Sequence, residues 1–328
     1  MKSLSTSNQV AETTPEEERL LASLRAQEWK EYIGQDQIKS AVHIAIEAAR
    51  QRDEAMDHTL FYGPPGLGKT TLAHLIAKEM GTDILVTSGT ALSKVADIAA
   101  ILTNLKKGDI LFIDEIHRLP KAVEETLYPA MEDFALDIVI GKGPSAKTIR
   151  LDLQPFTLVG ATTRMGMMAG PFRDRFGLVH RLEYYDVPTL EKIVLQAGNI
   201  LHIEVPNDCA IEIAQRARGT PRIALKLLKR VRDYIQVRSD NRFARDTVHE
   251  ALELLHIDPL GLDDTDRRIL HAIVETFGGG PVGLGTLASA THEDAGTIEE
   301  VIEPYLMQLG LIKRTPQGRV ATEKGKEI

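Results

Sequence analysis

The stretch LFYGPPGLGKTTLAHLIAK at residues 60–78 constrains the fold of this chain more than any other. A short apolar run at residues 59–62 stops at Gly63, and after Gly68 the apolar residues recur at helical spacing. This order predicts a strand, a loop and a helix. The loop matches the pattern G-x-x-x-x-G-K-[ST], whose backbone N–H groups and following helix N-terminus bind a polyphosphate. A plain Gly/Pro turn beside a surface lysine is the alternative, but the flanking strand and helix favour a phosphate loop.

The side chains of this loop predict a magnesium nucleotide as ligand. Lys69 would reach the β- and γ-phosphates, and the Thr70 hydroxyl would bind Mg²⁺. Pro64, Pro65 and Gly66 hold the loop open without bulky side chains in the way.

A second apolar run, at residues 110–113, delivers Asp114 and Glu115 at its C-terminal end. An unbroken apolar run is typical of a strand covered on both faces, and parallel sheets place their chemistry at the carboxyl ends of strands. Asp114 is predicted to bind Mg²⁺ through a water, and Glu115 to polarise the attacking water. We interpret the nearby His117 as a polar residue of the next helix rather than a catalytic group.

A third buried-type strand, at residues 156–163, ends in the hydroxyls of Thr162 and Thr163. These could contact the attacking water or the γ-phosphate. Farther along, the segment RDRFG at residues 173–177 supplies two arginines at the predicted edge of the domain. An arginine in such a place can complete the ATP site of a neighbouring subunit. A surface Arg–Asp pair is the alternative interpretation.

The N-terminal part contains a predicted helix over residues 36–52, ahead of the phosphate loop. Its core face is predicted to consist of Ile38, Val42, Ile44, Ile46 and Ala49. Before it, the single tryptophan, Trp29, is interpreted as a packing residue, whereas Tyr32 and Ile33 could instead line an adenine pocket.

Residues 187–257 are predicted to be helical. Pro221 suits a helix N-terminus, so Arg222 falls in the first turn, where the helix dipole disfavours a cation. A residue in an unfavourable position suggests that it meets a ligand.

The last segment, residues 258–328, predicts three helices and a hairpin, which together make a winged helix. Residues 313–326 carry five basic residues against one acidic residue, so the hairpin supplies local positive charge for DNA. A charged, exposed tail is the alternative. A separate hairpin predicted at residues 136–153 could dock a partner or be a plain surface excursion.

Composition bounds the remaining possibilities. The chain has 328 residues and a net charge of −8, so any DNA contact must be local. Its one cysteine, Cys209, permits no internal disulfide and is interpreted as a packed residue. Residues 1–20 are polar and predict a flexible leader, with no signal peptide and no membrane span elsewhere. We therefore expect a cytoplasmic protein.

Six motifs together resemble the RuvB family of bacterial Holliday-junction branch-migration motors, within the AAA+ class. The likeness begins at about residue 32 and runs to the C-terminus. The motifs are GPPGLGKTT (63–71), LFIDEIHRL (111–119), GATTR (160–164), RDRFG (173–177), RGTPRIA (218–224) and KRTPQGRVAT (313–322). The resemblance implies an α/β fold: a parallel-sheet P-loop ATPase domain (residues 21–186), a small helical lid domain (187–257) and a C-terminal winged-helix DNA-binding domain (258–328).

The resemblance also implies a function and a set of site residues. It implies an ATP- and Mg²⁺-dependent homohexamer on double-stranded DNA that binds RuvA through the hairpin at residues 136–153 and acts with RuvC. Thr163 is implied to be sensor one, Arg175 the finger that acts in trans, and Arg222 sensor two. The implied nucleotide contacts are Leu24, Arg25, Gly66, Gly68, Lys69, Thr70, Thr71, Glu132, Asp133, Phe134, Arg175, Tyr185 and Arg222, and the implied DNA contacts are Arg314 and Arg319.

Some positions depart from the family pattern. Ala26 stands where the family has proline, Trp29 where it has leucine, and Gln154 where it commonly has proline, and the first two bear on the adenine side of the site. A clamp-loader-like ATPase shares the nucleotide motifs but does not need a basic winged helix. A nucleotide-dependent scaffold without catalysis would not need Lys69, Glu115 and Arg175 together.

Overall fold

The computed structural model describes residues 23–140, 147–239 and 242–328. The predicted leader at residues 1–20 lies outside the described residues. The strands are β1 (Thr59–Tyr62), β2 (Ile84–Ser88), β3 (Ile110–Asp114), β4 (Ala135–Ile140), β5 (Lys147–Asp152), β6 (Thr157–Thr162), β7 (Leu178–Arg181), β8 (Ile312–Thr315) and β9 (Gly318–Ala321).

Helices cover the central sheet, form the whole lid domain and, with β8 and β9, form the C-terminal domain. They are α1 (Asp36–Arg52), α2 (Lys69–Met80), α3 (Val95–Leu102), α4 (Lys121–Glu132), α5 (Gly170–Arg173), α6 (Val187–Ile200), α7 (Asn207–Gln215), α8 (Pro221–Arg238), α9 (Arg245–Leu254), α10 (Asp264–His271), α11 (Leu284–Thr291), α12 (Ala295–Thr297), α13 (Glu303–Gln308) and α14 (Glu323–Lys326). Two π-helical turns, Ala272–Thr276 and Ile298–Ile302, continue α10 and α12.

A five-stranded parallel sheet in the order β2-β3-β6-β1-β7 is the centre of the ATPase domain. Its central strands β3, β6 and β1 are buried along nearly their whole length, because both faces of the sheet are covered. Successive residues of β3 alternate between two apolar clusters: Phe112 belongs to one, and Leu111 and Ile113 belong to the other. The prediction of strands buried on both faces is therefore confirmed.

The order of strands brings three loops together. β6 lies between β1 and β3, with Tyr62 opposite Thr162 and Ile113 opposite Gly160. Because the three strands are parallel, their carboxyl ends meet at one edge of the sheet. The phosphate loop, the acidic pair and the threonines of β6 therefore lie at the same edge.

The predicted face of α1 is right except at Ile44. Ile38, Val42, Ile46 and Ala49 are buried, whereas Ile44 is 70% exposed. Residues 38, 42 and 46 follow one another at four-residue spacing and share a face, while a residue two positions away points to the other side of the helix. Ile44 was assigned to the core by its residue type, against its position.

The lid consists of α6 to α9, and its apolar residues join the larger cluster of the ATPase domain. The C-terminal domain has its own apolar cluster beneath the β8–β9 hairpin. The predicted α/β P-loop domain, helical lid and winged helix are thus all present. None of the helices within the described ranges is both long enough and apolar enough to cross a membrane.

Candidate active site

The phosphate loop runs from β1 into α2 and is shaped by glycines with positive φ. Gly66 has φ +80° and Gly68, the residue just before α2, has φ +100°. Lys69 is buried, and its Nζ donates hydrogen bonds of 2.8 Å to the carbonyls of Gly63 and Pro64. Burial lowers the pKa of Lys69 to about 8, against the opposing effect of the nearby carboxylates. The lysine is therefore held inside the loop that a polyphosphate would enter.

A cavity of about 500 Å³ opens over this loop, between the ATPase domain and the lid. Most of the predicted site residues meet there. Those that line it are Leu24, Arg25, Gly66, Gly68, Lys69, Thr70, Thr71, Asp114, Glu115, Thr163, Tyr185 and Arg222. Residues that are far apart in the sequence thus line one cavity, which has both polar and apolar surfaces.

Glu115 lies directly after β3 in a left-handed backbone conformation, with φ 47°. Its backbone N–H donates a 2.9 Å hydrogen bond to Asp114 Oδ1, and Thr163 Oγ1 donates to Glu115 Oε2 at 3.4 Å. Burial raises the pKa of Glu115, and the charge of Asp114 adds to this effect. A carboxylate with a raised pKa is a better proton acceptor, as a group that polarises water should be.

His117 lies behind this carboxylate, in the short 3-10 turn Ile116–Arg118. Its side chain is 2% exposed. The Nδ1 atom lies 2.9 Å from Thr162 Oγ1, and Nε2 lies 3.4 Å from Glu115 Oε2. Burial lowers the pKa of His117, and the charge of Arg118 adds to this effect, so the ring is neutral at pH 7. His117 is thus predicted correctly as a polar residue of the next turn, but its side chain also contacts Glu115 and Thr162 at the catalytic edge.

The lid closes the other side of the cavity. Arg222 is the second residue of α8, as the sequence predicts, and its backbone N–H donates to the Gly66 carbonyl at 3.3 Å. Tyr32 and Tyr185 both donate their hydroxyls to the Leu67 carbonyl at 3.4 Å. The lid is therefore hydrogen-bonded directly to the phosphate loop through Arg222, and the two tyrosines, which lie outside the lid helices, bind the same loop.

The donors near the loop fit Mg²⁺. Thr70 and Asp114 both line the cavity and supply oxygen atoms. No cluster of three or more His, Cys, Asp or Glu side chains suited to a metal occurs in the described part of the chain. Mg²⁺ in nucleotide sites is typically held by one or two protein oxygens, with water and substrate phosphates supplying the rest.

Arg175 lies away from the cavity of its own chain. Its guanidinium lies 4.2 Å from the centre of the Tyr128 ring, Nη2 is 3.1 Å from Glu132 Oε1, and Nη1 donates to the Pro171 carbonyl at 2.6 Å. The Nε atom is buried and has no hydrogen-bond partner among the described residues.

The predicted nucleotide contacts at residues 132–134 lie in the same region as Arg175. Asp133 accepts a 2.6 Å hydrogen bond from Arg150, and the Phe134 ring packs edge-on against Phe156. Neither these residues nor Arg175 line the cavity of their own chain.

The two predicted DNA contacts differ in their surroundings. Arg314 is 54% exposed, and its Nη2 lies 3.0 Å from Glu299 Oε1. Arg319 is 8% exposed and forms a 2.8 Å ion pair with Glu303, which is itself buried. Only Arg314 presents its guanidinium to solvent in this arrangement.

Several lining residues were not found from the sequence. Ile193, Gln196 and Leu225 of the lid, and Glu31 before α1, complete the wall. Their spacing resembles that of any helix packed on a core, so no pattern separates them from structural residues. Only the closure of the lid over the loop assigns them to the cavity.

The chain matches three family models. These are described as the Holliday junction DNA helicase RuvB P-loop domain, over residues 24–182, the RuvB AAA lid domain, over residues 185–258, and the RuvB C-terminal winged helix domain, over residues 259–328. Together they cover nearly the whole described chain.

Solved structures from Thermotoga maritima are similar along the same length. One, described as the RuvB Holliday junction branch migration motor, is 50% identical with a TM-score of 0.85, and the match covers 93% of this chain and 97% of that chain. A lysine-to-arginine variant of that RuvB is 51% identical with a TM-score of 0.86, with the same coverage. The resemblance predicted from the motifs is confirmed, and the chain belongs to the RuvB family of P-loop ATPase motors for Holliday junction branch migration.

Proposed function

We propose that this RuvB-family ATPase works as a homohexameric ring around double-stranded DNA and, with RuvA, drives branch migration of Holliday junctions in recombination and repair. The observation that carries the proposal is the position of Arg175. Its guanidinium is held by Tyr128, Glu132 and Pro171, away from its own cavity, with one nitrogen unpartnered among the described residues. Arg175 does not line the cavity of its own chain, which supports a role at the nucleotide of a neighbouring subunit.

ATP binding begins with Lys69. In this structure its ammonium is bound by two carbonyls of the loop, and the β- and γ-phosphates replace them as stronger, charged acceptors. Gly66, Gly68 and Thr71 supply the surrounding loop and helix N-terminus. Leu24, Arg25 and Tyr185 bind the nucleoside side of the ligand.

The hydroxyl of Thr70 and, through a water, the carboxylate of Asp114 would hold Mg²⁺, which would supply positive charge next to the β- and γ-phosphates. Glu115 polarises the attacking water, and Thr163 holds that carboxylate in place through its hydroxyl. Arg222, on the lid, contacts the γ-phosphate, so the lid responds to its presence or loss.

Arg175 of the neighbouring subunit stabilises the charge that develops as the phosphoryl bond breaks. Glu132, Asp133 and Phe134 lie beside it and meet the same nucleotide from that subunit. ATP hydrolysis therefore depends on assembly of the ring.

The C-terminal domain grips DNA through Arg314 of the β8–β9 hairpin, by contacts to phosphates rather than bases. Arg319, the other predicted DNA contact, is buried in an ion pair with Glu303 and supports the hairpin instead. The hairpin β4–β5 docks RuvA, and RuvC joins the complex that resolves the junction. We expect this machine to work in the cytoplasm.

The test is steady-state ATP turnover against protein concentration, with and without duplex DNA. We expect turnover per chain to rise with concentration, and Arg175→Ala and Glu115→Gln each to be inactive. A mixture of these two variants should partly recover, because some interfaces then combine an intact Glu115 with an intact Arg175. The control is Arg52→Ala, at the exposed end of α1.

Two results would contradict the proposal. One is full activity of Arg175→Ala with turnover per chain independent of concentration, which would indicate a monomeric ATPase. The other is a mixture that stays inactive although both variants bind ATP and enter rings, which would indicate that Glu115 and Arg175 of one chain act on the same nucleotide.

A further inference from the structure

His117 is buried between two groups of the catalytic edge. Thr162 Oγ1 accepts a 3.0 Å hydrogen bond from the backbone N–H of Arg164, so its own hydrogen can be donated to His117 Nδ1. The neutral ring then carries its hydrogen on Nε2, the atom that lies 3.4 Å from Glu115 Oε2. His117 lies behind the wall of the nucleotide cavity, so it reaches the nucleotide only through Glu115.

We propose that His117 is a positioning residue for ATP hydrolysis, whose Nε2–H directs the Glu115 carboxylate toward the attacking water. This inference rests on the proposed role of Glu115. Thr163 Oγ1 donates to the same oxygen of Glu115 at 3.4 Å, so two side chains that can donate a hydrogen bond lie next to this oxygen. Side chains held by such supporting contacts keep a catalytic group in its productive orientation.

Two variants separate a positioning role from a packing role. In His117→Gln, the amide nitrogen reaches the position of Nε2 and can still donate to Glu115. In His117→Asn, the shorter amide reaches only the position of Nδ1. We expect His117→Asn to lower kcat by about tenfold, and His117→Gln to retain most of it. The KM for ATP and the melting temperature should stay near wild type, as in the control His43→Asn on the exposed side of α1.

Equal kcat values for the Gln and Asn variants, or a loss that follows the melting temperature, would overturn the positioning role. Glu115→Gln is measured alongside. If that variant remains active, the role proposed for Glu115 itself fails; if it is inactive while His117→Asn is unchanged, only the inference about His117 fails.

A different contact joins the ATPase domain to the winged helix. Arg164 follows Thr163, and its Nη2 lies 2.6 Å from Glu300 Oε1 and 3.1 Å from Glu299 Oε2. The other oxygen of Glu299 pairs with Arg314 of the wing at 3.0 Å. One carboxylate is thus shared by an arginine beside the catalytic edge and an arginine predicted to bind DNA.

We infer that Glu299 couples DNA binding to ATP hydrolysis, because a DNA phosphate competes with it for Arg314. When the phosphate takes Arg314, Glu299 is left to Arg164 alone, and the winged helix binds the end of β6 more firmly. The inference rests on the proposed DNA contact of Arg314. Each of the three side chains is between 29% and 54% exposed, so the pairs can exchange without burying an unpaired charge.

The test compares Glu299→Gln with Glu293→Gln. Both variants remove one negative charge from the same domain, so both raise DNA affinity equally through net charge. Glu293 pairs with Arg268 instead. We expect Glu299→Gln to bind duplex DNA about two- to fivefold more tightly than Glu293→Gln, the range for an exposed ion pair. It should also lose most of the stimulation of ATP turnover by DNA.

If the two variants have the same DNA affinity and the same stimulation, the coupling role of Glu299 is wrong. The variant Arg314→Ala separates failure of the proposed DNA contact from failure of the inference about Glu299. An unchanged DNA affinity in Arg314→Ala would remove the proposed DNA contact and this inference with it. A lowered affinity there, with identical Glu299 and Glu293 variants, would remove only the inference.

Discussion

Arg314 and Arg319 lie opposite each other in the β8–β9 hairpin. Their surroundings nevertheless indicate different roles, in DNA binding for Arg314 and in stability for Arg319. Arg314 is more than half exposed and shares a carboxylate at the surface. Arg319 is buried with Glu303, and one oxygen of that glutamate has no hydrogen-bond partner among the described residues. Loss of either member would leave an uncompensated charge in the interior.

We therefore expect the two alanine variants to differ. Arg319→Ala should lower the free energy of unfolding by about 3 kcal/mol, the typical cost of breaking a buried pair. Arg314→Ala should leave it nearly unchanged, and should lower DNA affinity and reduce the slope of log affinity against log salt by about one. Thermal unfolding and fluorescence anisotropy over a salt series measure both quantities. Equal loss of stability in the two variants would show that burial does not separate them.

At the scale of a single element, α2 is bounded by two glycines that carry different constraints. Gly68, at its start, has φ +100°, and a Cβ there would lie 2.8 Å from the Tyr32 hydroxyl. Gly81, at its end, has φ +71° and meets nothing within 4 Å. Both positions favour glycine by conformation, but only Gly68 has a steric reason linked to the site.

Gly68→Ala should therefore lower both stability and ATP affinity, because the loop must shift away from Tyr32. Gly81→Ala should cost only about 1 kcal/mol of stability, through its backbone conformation, and leave ATP affinity unchanged. Nucleotide binding by calorimetry and thermal unfolding of both variants provide the comparison. A Gly68→Ala variant that binds ATP like wild type would contradict the argument.

The β4–β5 hairpin is another element with more exposed apolar surface than its own fold requires. Ile149 and Leu151, two residues apart on β5, are 44% and 37% exposed. Residues at this spacing share one face of a strand. This face is the surface to which the proposed RuvA contact is assigned.

Changing both residues to aspartate should weaken binding to RuvA by about tenfold or more, the effect of losing central apolar contacts of an interface. ATP turnover without RuvA should be unchanged. Thr148→Asp, on the opposite face of the strand, adds a charge without touching the apolar face. Surface plasmon resonance measures the affinity of each variant for RuvA. If Thr148→Asp weakened binding as much as the double variant does, the assignment of the apolar face would be wrong.

At the scale of the whole molecule, the lid contacts both the ATPase domain and the winged helix. Its apolar residues belong to the same cluster as those of the ATPase domain. On its other side, Arg218 donates Nε to the Gly261 carbonyl at 2.8 Å and pairs with Asp263 and Asp266 of the winged helix. Arg218 stands four residues before Arg222, so a shift of this segment reaches both domains.

Arg218→Gln should separate the two activities. We expect ATP affinity to stay within about twofold of wild type, and branch migration with RuvA to fall by about tenfold or more, the usual size of a coupling between sites. Junction migration and nucleotide binding are measured on the same preparation. Arg230→Gln, on an exposed part of α8, is the control. Retained migration in Arg218→Gln would show that the link does not transmit motion.

The sequence alone determined the phosphate loop, the acidic pair, the buried strands and the winged helix. Each is encoded in a few consecutive residues whose spacing follows directly from strand, loop or helix geometry. The motifs at residues 63–71 and 111–119 indicate only the wider AAA+ class, and the motifs at residues 160–164 and 313–322 narrow it to the family that the comparisons confirm.

Only the tertiary structure decided the surroundings of individual polar residues. Ile44 and Arg319 show what the sequence pattern does not predict. The pattern predicts a core position for Ile44, which is exposed, and a surface position for Arg319, which is buried. The partners of His117 and Glu299 likewise come from segments 45 and 135 residues away. Burial and charge pairing depend on which distant segments meet, and the spacing of residues along the chain does not specify these contacts.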